Sequence, residues 1–264
     1  MATVADILKF VETLAPPYMM EGWDNGGLLC GRKSKEVRKI LVALDPFPNV
    51  IEEAIFEQAD LIVTHHPLIF REPITAVNEE SETGRCLLTL MEHGIAAINA
   101  HTNLDLAPGG VNDCLAAALG LSNVQIIKPV GTDAAGHPYG LLRCGTVQEQ
   151  PLVNFLSHVK KALGCEGLRY VDAGKPVRKV AVGGGSCSDE MFDALEAGCD
   201  TFVTADIKYN RFRTAFECGL NLIDAGHFHT ENPVMPILAE KLASKFPDVE
   251  VKFCNSHRDC MKFY

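Results

Sequence analysis

No C-x-x-C pair occurs among the ten cysteines, whose spacing is irregular. In a chain of 264 residues this argues against a disulfide framework, so reduced, mostly buried thiols are expected. No apolar run approaches the ~20 residues that a membrane helix needs, which argues against a membrane protein. The N-terminus lacks a basic segment followed by an apolar core, so no secretory signal is expected and the setting reads as cytoplasmic. Basic charge is in deficit, with 24 Lys and Arg against 34 Asp and Glu and a net charge of −10, which makes a nucleic-acid partner unexpected. Aromatics are scarce at 7%, with a single Trp, and no low-complexity linker is visible.

What is there is an ordinary globular composition, 47% apolar and 22% charged, with enough chain for one large domain or two small ones. Residues 3–14 place Val4, Ile7, Leu8, Val11 and Leu14 on one face, a helix that Pro16-Pro17 ends and that Thr3 or Asp6 can cap. Strand, helix and strand follow at Lys39–Leu44, Asn49–Gln58 and Asp60–Thr64, which predicts a parallel βαβ unit. A helix over 84–93 and a strand over 94–100 continue it.

The order repeats downstream. Lys39 to Pro67 aligns without a gap on Lys179 to Ile207, an offset of 179 − 39 = 140, with Asp60/Asp200, Val63/Val203 and Thr64/Thr204 among the identities. The stretch 94–101 resembles 219–227. Internal duplication is expected, with one α/β half over 1–125 and a second over 126–264. The C-terminal helix is expected to pack back on the first half. Between the halves, a strand is expected around Tyr139–Cys144 and a helix near 152–163.

Three strand ends carry ligand-type residues: His65-His66, His101-x-x-x-Asp105 and His227-x-x-x-Glu231. Each follows an apolar segment, and strand C-terminal ends in a parallel sheet lie along one edge, where such folds place their sites. If a helix begins at His227, it puts His227 and Glu231 on one face. Histidine and carboxylate without cysteine suit Zn²⁺, Fe²⁺ or Mn²⁺. Six candidate donors, two of them carboxylates, exceed what one tetrahedral ion takes, so two divalent ions are expected. Two ions about 3.5–4 Å apart activate water and clamp a phosphate or carbonyl oxygen.

His93, His137, His158 and His257 have no such context and read as structural, whereas His229 lies in the cluster but out of phase with His227 and Glu231. Glu21–Leu29, with Trp23 and Asn25-Gly26-Gly27, reads either as a tight turn with a packed indole or as a loop lining a site. Gly183–Ser186 before a helix reads either as a tight turn or as a phosphate loop.

These residues carry a resemblance. Trp23-Asp24-Asn25-x-Gly27-Leu28, Thr64-His65-His66-Pro67, His101-Thr102-Asn103-Leu104-Asp105, Asp206-Ile207-Lys208-Tyr209 and Gly226-His227-Phe228-x-Thr230-Glu231 are similar to motifs of the Nif-three-like family, whose members are often called GTP cyclohydrolase type 2 homologues. The resemblance implies two intertwined α/β halves with a dinuclear metal site between them, and a toroidal homo-hexamer. It implies His65, His66, Asp105, His227 and Glu231 as metal ligands, His101 as a further ligand or acid/base, and no ligand role for His229. The stretch 125–178 is too short for the extra domain some members insert, Asn210 stands where members often have His, and Ser256–Tyr264 departs from the pattern.

The leading expectation is a dinuclear metal-dependent hydrolase acting on a small molecule, with GTP or another nucleotide or phosphate ester as substrate. The second is a metal-binding, partner-binding scaffold without turnover.

Overall fold

The runs Leu61–Thr64, Ala96–Asn99, Thr201–Thr204 and Asn221–Asp224 become strands that are buried along their whole length, the pattern of parallel sheets covered on both faces. The computed structural model describes residues 1–70 and 73–264. It divides into two compact units, one formed by Met1–Leu104 with Met235–Arg258 and the other by Asp105–Val234 with Asp259–Tyr264.

The first unit is built on a five-stranded sheet in the order Glu250–Phe253, Lys39–Ala43, Leu61–Thr64, Ala96–Asn99, Gly27–Cys30. The first four strands run parallel and the last is antiparallel. The returning segment after Met235 therefore supplies an edge strand to this sheet. Helices Pro48–Phe56 and Glu82–Glu92 cover one face, packing Val50, Ile51, Ala54, Leu87 and Leu90 against Leu41 and Ile62. The helix Val4–Leu14 is opened by a capping box in which Thr3 and Asp6 satisfy each other's backbone N–H groups, as its sequence leads one to expect.

The second unit holds a six-stranded sheet in the order Arg169–Val171, Asn221–Asp224, Thr201–Thr204, Val177–Val182, Leu142–Gln150, Ser122–Ile127. Its three middle pairings are parallel, parallel and antiparallel, and both outer pairings are antiparallel. Helix Leu152–Leu163 closes one face through Phe155 and Val159. Phe202, Met191 and Ala215 fill the other.

One expectation needs correction here. The strand expected at Tyr139–Cys144 is divided between a two-residue strand, Pro138–Tyr139, and a longer one, Leu142–Gln150; Gly145 and the mostly polar run after it hide the longer strand's second half, which is partly exposed. The helix that follows the glycine loop in the sequence begins as a 3₁₀ turn, Ser188–Glu190, and continues as a helix, Met191–Glu196.

The two units match in register. Ile40 pairs with Leu61 and Val180 with Thr201, each pair related to the other by the same 140 residues. In the first unit Asp60 Oδ2 accepts the N–H groups of Arg38 and Lys39, at 2.8 and 3.3 Å. In the second, Asp200 Oδ2 accepts those of Arg178 and Lys179, at 3.1 and 2.8 Å. Each aspartate thus fixes the start of one strand against the start of the next. His65 and His66 follow the opposite end of Leu61–Thr64 in the first unit, whereas in the second His227 follows the neighbouring strand, Asn221–Asp224.

Candidate metal centre

In the first unit the chain turns sharply after Thr64, with the N–H groups of His65 and His66 both donating to Leu44 O. His65 is fully buried. Its Nδ1 lies 2.9 Å from Ala100 O. A carbonyl only accepts, so Nδ1 carries the proton and Nε2 keeps the lone pair. His66 sets its Nδ1 2.6 Å from Asp45 Oδ1. His101 sets its Nδ1 2.7 Å from Asp24 Oδ1, while Asp24 Oδ2 accepts from the Thr102 hydroxyl and N–H at 2.6 and 3.1 Å. One nitrogen from each of His65, His66 and His101 lies within 4.8 Å of the others.

Both aspartates act as ionised acceptors. Burial raises the Asp24 carboxyl, but the His101 ring and the Thr102 hydroxyl outweigh it and hold it well below the usual carboxylate range. Burial raises Asp45 likewise, and the rings of His257 and His66 hold it well below that range. The Trp23 indole packs edge-on to Phe70 and to His101, with centroids 5.9 and 6.2 Å away. Trp23 is 47% exposed, so the loop it sits on borders the histidine cluster and is not buried beneath it.

In the second unit Asp105 is buried on the short helix Thr102–Leu106. Asn112, fully buried, donates to Asp105 O at 3.2 Å and accepts Gly184 N–H at 2.7 Å, tying that helix to the glycine loop. A helix does begin at His227: His227–Glu231 forms one turn after Gly226 at φ +83°. His227 Nε2 and Glu231 Oε2 are 3.1 Å apart, and His227 Nδ1 lies 2.6 Å from Asp206 Oδ2. Burial lowers the His227 pKa, but the two carboxylates outweigh it and push it up to about 11. A pair of carboxylates that holds a proton this firmly is also a favourable place for a cation.

The glycine loop has a different task from phosphate binding. Gly183 N–H donates to Val203 O, Gly184 N–H to Asn112, Gly185 N–H to the Thr230 hydroxyl and Cys187 N–H to the Thr204 hydroxyl, at 3.0, 2.7, 3.0 and 3.1 Å. These donors are spent on the protein. Gly185, at φ +63°, gives way to the helix His227–Glu231: a Cβ there would meet Glu231 Oε1 at 2.1 Å and His227 Nε2 at 3.1 Å. The phosphate-loop alternative is therefore set aside.

The other histidines divide cleanly. His229 has Leu163 O at 3.1 Å from Nδ1 and Asp259 Oδ2 at 3.3 Å from Nε2, so both nitrogens face oxygen acceptors within its own unit. His93, His137 and His158 bond to Thr89 O, Asp133 and Leu119 O. His257, which has no ligand-like context in the sequence, is buried with Nε2 3.0 Å from Asp45 Oδ2. The sequence reading also passed over the supporting roles of Asp24, Asp45, Asn112 and Asp206. Asp24 and Asp206 lie inside recognisable motifs; Asp45 and Asn112 carry no such signal.

The DUF34/NIF3 family (NGG1p interacting factor 3) matches residues 2–260. The chain belongs to that family. A relative from Clostridium perfringens, named GTP cyclohydrolase 1 type 2 homolog, is 36% identical over 263 residues, covering 98% of each chain. Among solved structures of DUF34/NIF3-like folds, a Bacillus cereus protein related to NIF3 superposes with a TM-score of 0.93 at 26% identity, covering 100% of this chain and 99% of that one. Reduced HcgD from Methanocaldococcus jannaschii superposes with a TM-score of 0.79 at 30% identity, covering 96% and 97%. The mixed α/β architecture is that of these structures, and the histidine and glutamate groups form clusters able to bind a metal ion.

Proposed function

We propose that this DUF34/NIF3 chain is a hydrolase dependent on two divalent metal ions, with His65, His66, Asp105, His227 and Glu231 as ligands. One observation carries the reading: His65, His66, His101 and His227 each turn Nδ1 to an oxygen acceptor, at 2.9, 2.6, 2.7 and 2.6 Å. That is how metal-binding imidazoles are held, with tautomer and ring orientation fixed by a carboxylate or carbonyl behind them. The donor set is nitrogen and carboxylate oxygen, which fits Zn²⁺, Fe²⁺ or Mn²⁺. Gly185, which has no side chain to crowd Glu231 and His227, supports the same fit.

Bound divalent ions supply Lewis-acid polarisation of a carbonyl or phosphoryl oxygen and activation of water. The protein's part is positional. Asp45, Asp206 and the Ala100 carbonyl orient three imidazoles, and Asp24 orients His101. His101, backed by that carboxylate, is the acid/base that moves a proton to or from the reacting group. Trp23 and Phe70 beside His101 offer aromatic surface to a planar ring. That surface and the relatives' name favour a nucleotide such as GTP as substrate, which would be opened at the imidazole ring with release of formate.

The finer architectural points belong to the same proposal. The shared register of Ile40–Leu61 and Val180–Thr201 supports two halves descended by duplication. The family resemblance supports a homo-hexamer and a cytoplasmic setting. Among the described residues no helix is long and apolar enough to cross a membrane.

Metal analysis of the purified protein beside His65→Ala and Glu231→Ala tests the centre. The wild type should carry up to two ions per chain and each variant should lose at least one. A metal-free wild type, or variants that keep the full complement, would sink the centre. Formate release from GTP by the fully metallated protein tests the reaction; no turnover with any nucleotide would leave the metal-binding scaffold as the better reading.

A further inference from the structure

The carboxylate behind His66 is itself held from behind. Asp45 lies just after the Lys39–Ala43 strand, and its two oxygens face different imidazoles: Oδ1 is 2.6 Å from His66 Nδ1 and Oδ2 is 3.0 Å from His257 Nε2. A carboxylate with one oxygen bonded pivots about its Cβ–Cγ bond. With both oxygens bonded, its plane is set, and so is the direction in which Oδ1 meets the His66 ring.

His257 is in a position to do this because the segment before it is tied down. Glu53, on the helix Pro48–Phe56, accepts the N–H groups of Asn255 and Ser256, at 2.9 and 2.6 Å. The Cys254 thiol donates to the same carboxylate at 3.1 Å. Asn49 closes the arrangement, donating from Nδ2 to Ser256 O and accepting the Ser256 hydroxyl, both at 3.1 Å. The Phe47 ring stands edge-on to His257 with centroids 5.8 Å apart. The histidine ring is thus fixed by a hydrogen-bonded strap on one side and an aromatic edge on the other, and it is 6% exposed. All of these groups belong to the first unit.

We propose that His257 is a positioning residue for the metal ligand His66, acting through Asp45. The proposal rests on the metal-centre reading given above. His257 does not touch the ion: it orients the carboxylate that orients the ligand. Removing an outer partner of a ligating histidine lowers metal affinity by roughly 10- to 100-fold. His257 stands one step further out, so the effect of removing it belongs near the lower end of that range.

The test uses the full-length protein with Zn²⁺ or Co²⁺ alone as probe. Affinity is measured by competition with a chromophoric chelator for the wild type, His257→Ala, His257→Gln and Asp45→Asn. His257→Ala should weaken one ion by on the order of tenfold. It should also shift the visible absorption of the Co²⁺-loaded protein, which reports ligand geometry. His257→Gln retains an N–H donor near the position of Nε2 and should recover most of the affinity and the wild-type spectrum. Melting of each metal-free protein separates positioning from simple loss of stability. Wild-type affinity and spectrum in His257→Ala overturn the proposal while leaving the metal centre intact. Equal loss in His257→Gln and His257→Ala, in step with lowered melting of the metal-free proteins, overturns it as well. A wild type that binds neither ion overturns the metal centre and this proposal together.

Discussion

At the scale of single residues, the candidate ligands were legible and their supports were not. His65-His66 announces itself because two imidazoles end an apolar run that reads as a buried strand. Asp45 looks like any loop aspartate, and although Asp24 and Asp206 sit in recognisable motifs, the supporting role of each is defined by a histidine 77, 21 or 21 positions from Asp24, Asp45 or Asp206 that only the fold supplies. Gly185 is a sharper case. In the sequence its glycine run reads equally as a turn or a phosphate loop, and the deciding fact is the Glu231 oxygen that occupies the space of the missing Cβ. Gly185→Ala should therefore displace Glu231 and His227 as well as strain a backbone at φ +63°. We expect a stability cost of about 1–3 kcal/mol, together with loss of bound metal, read by denaturant unfolding and elemental analysis. Full metal content in a folded Gly185→Ala protein would show that the loop does not set the position of Glu231.

At the scale of elements, the parallel strands and their helices were legible because apolar periodicity and short connections leave few alternatives. The strand Leu142–Gln150 was not, because its second half is polar and exposed on the outer part of the sheet. The helix Pro48–Phe56 was placed correctly, yet nothing in it marks Glu53 as the anchor of residues 254–256. Burial raises the Glu53 pKa, but the N–H of Asn255, with the Ser256 and Cys254 groups, outweighs it and lowers the carboxyl to about 2 from 4.5. A carboxyl depressed in the folded state stabilises above its unfolded pKa and loses that contribution as pH falls through the folded one. The stability gap between wild type and Glu53→Gln should thus be full at pH 7 and shrink from about pH 4.5 towards pH 2. Urea titrations of both proteins across that range measure it. A gap that stays constant, or widens on acidification, would contradict the anchor role.

At the scale of the whole molecule, the proposed ligands, drawn from three strand ends, would make metal binding inseparable from folding, since the unfolded chain has no preformed site. A metal present at a thousandfold over its Kd stabilises the folded state by roughly 4 kcal/mol. For a chain of this size that corresponds to about 10 °C in Tm. Exhaustive chelation should lower Tm by about that amount, and added Zn²⁺, Mn²⁺ or Fe²⁺ should restore it. A Tm indifferent to chelator and metal would mean that the clusters hold no ion of consequence.

The paired carboxylates of Asp60 and Asp200 have a consequence of another kind. Each sits just before its strand, four residues or about 13 Å from that strand's last residue. A strand that slips by one residue turns every side chain to the opposite face. Asp60 therefore acts as a remote registration mark for the strand that leads to His65, without ever approaching that residue, and Asp200 does the same for its own strand in the second unit. A genetic screen for loss of metal should score Asp60 beside the proposed ligands, with its distance from them as the clue that it works by alignment.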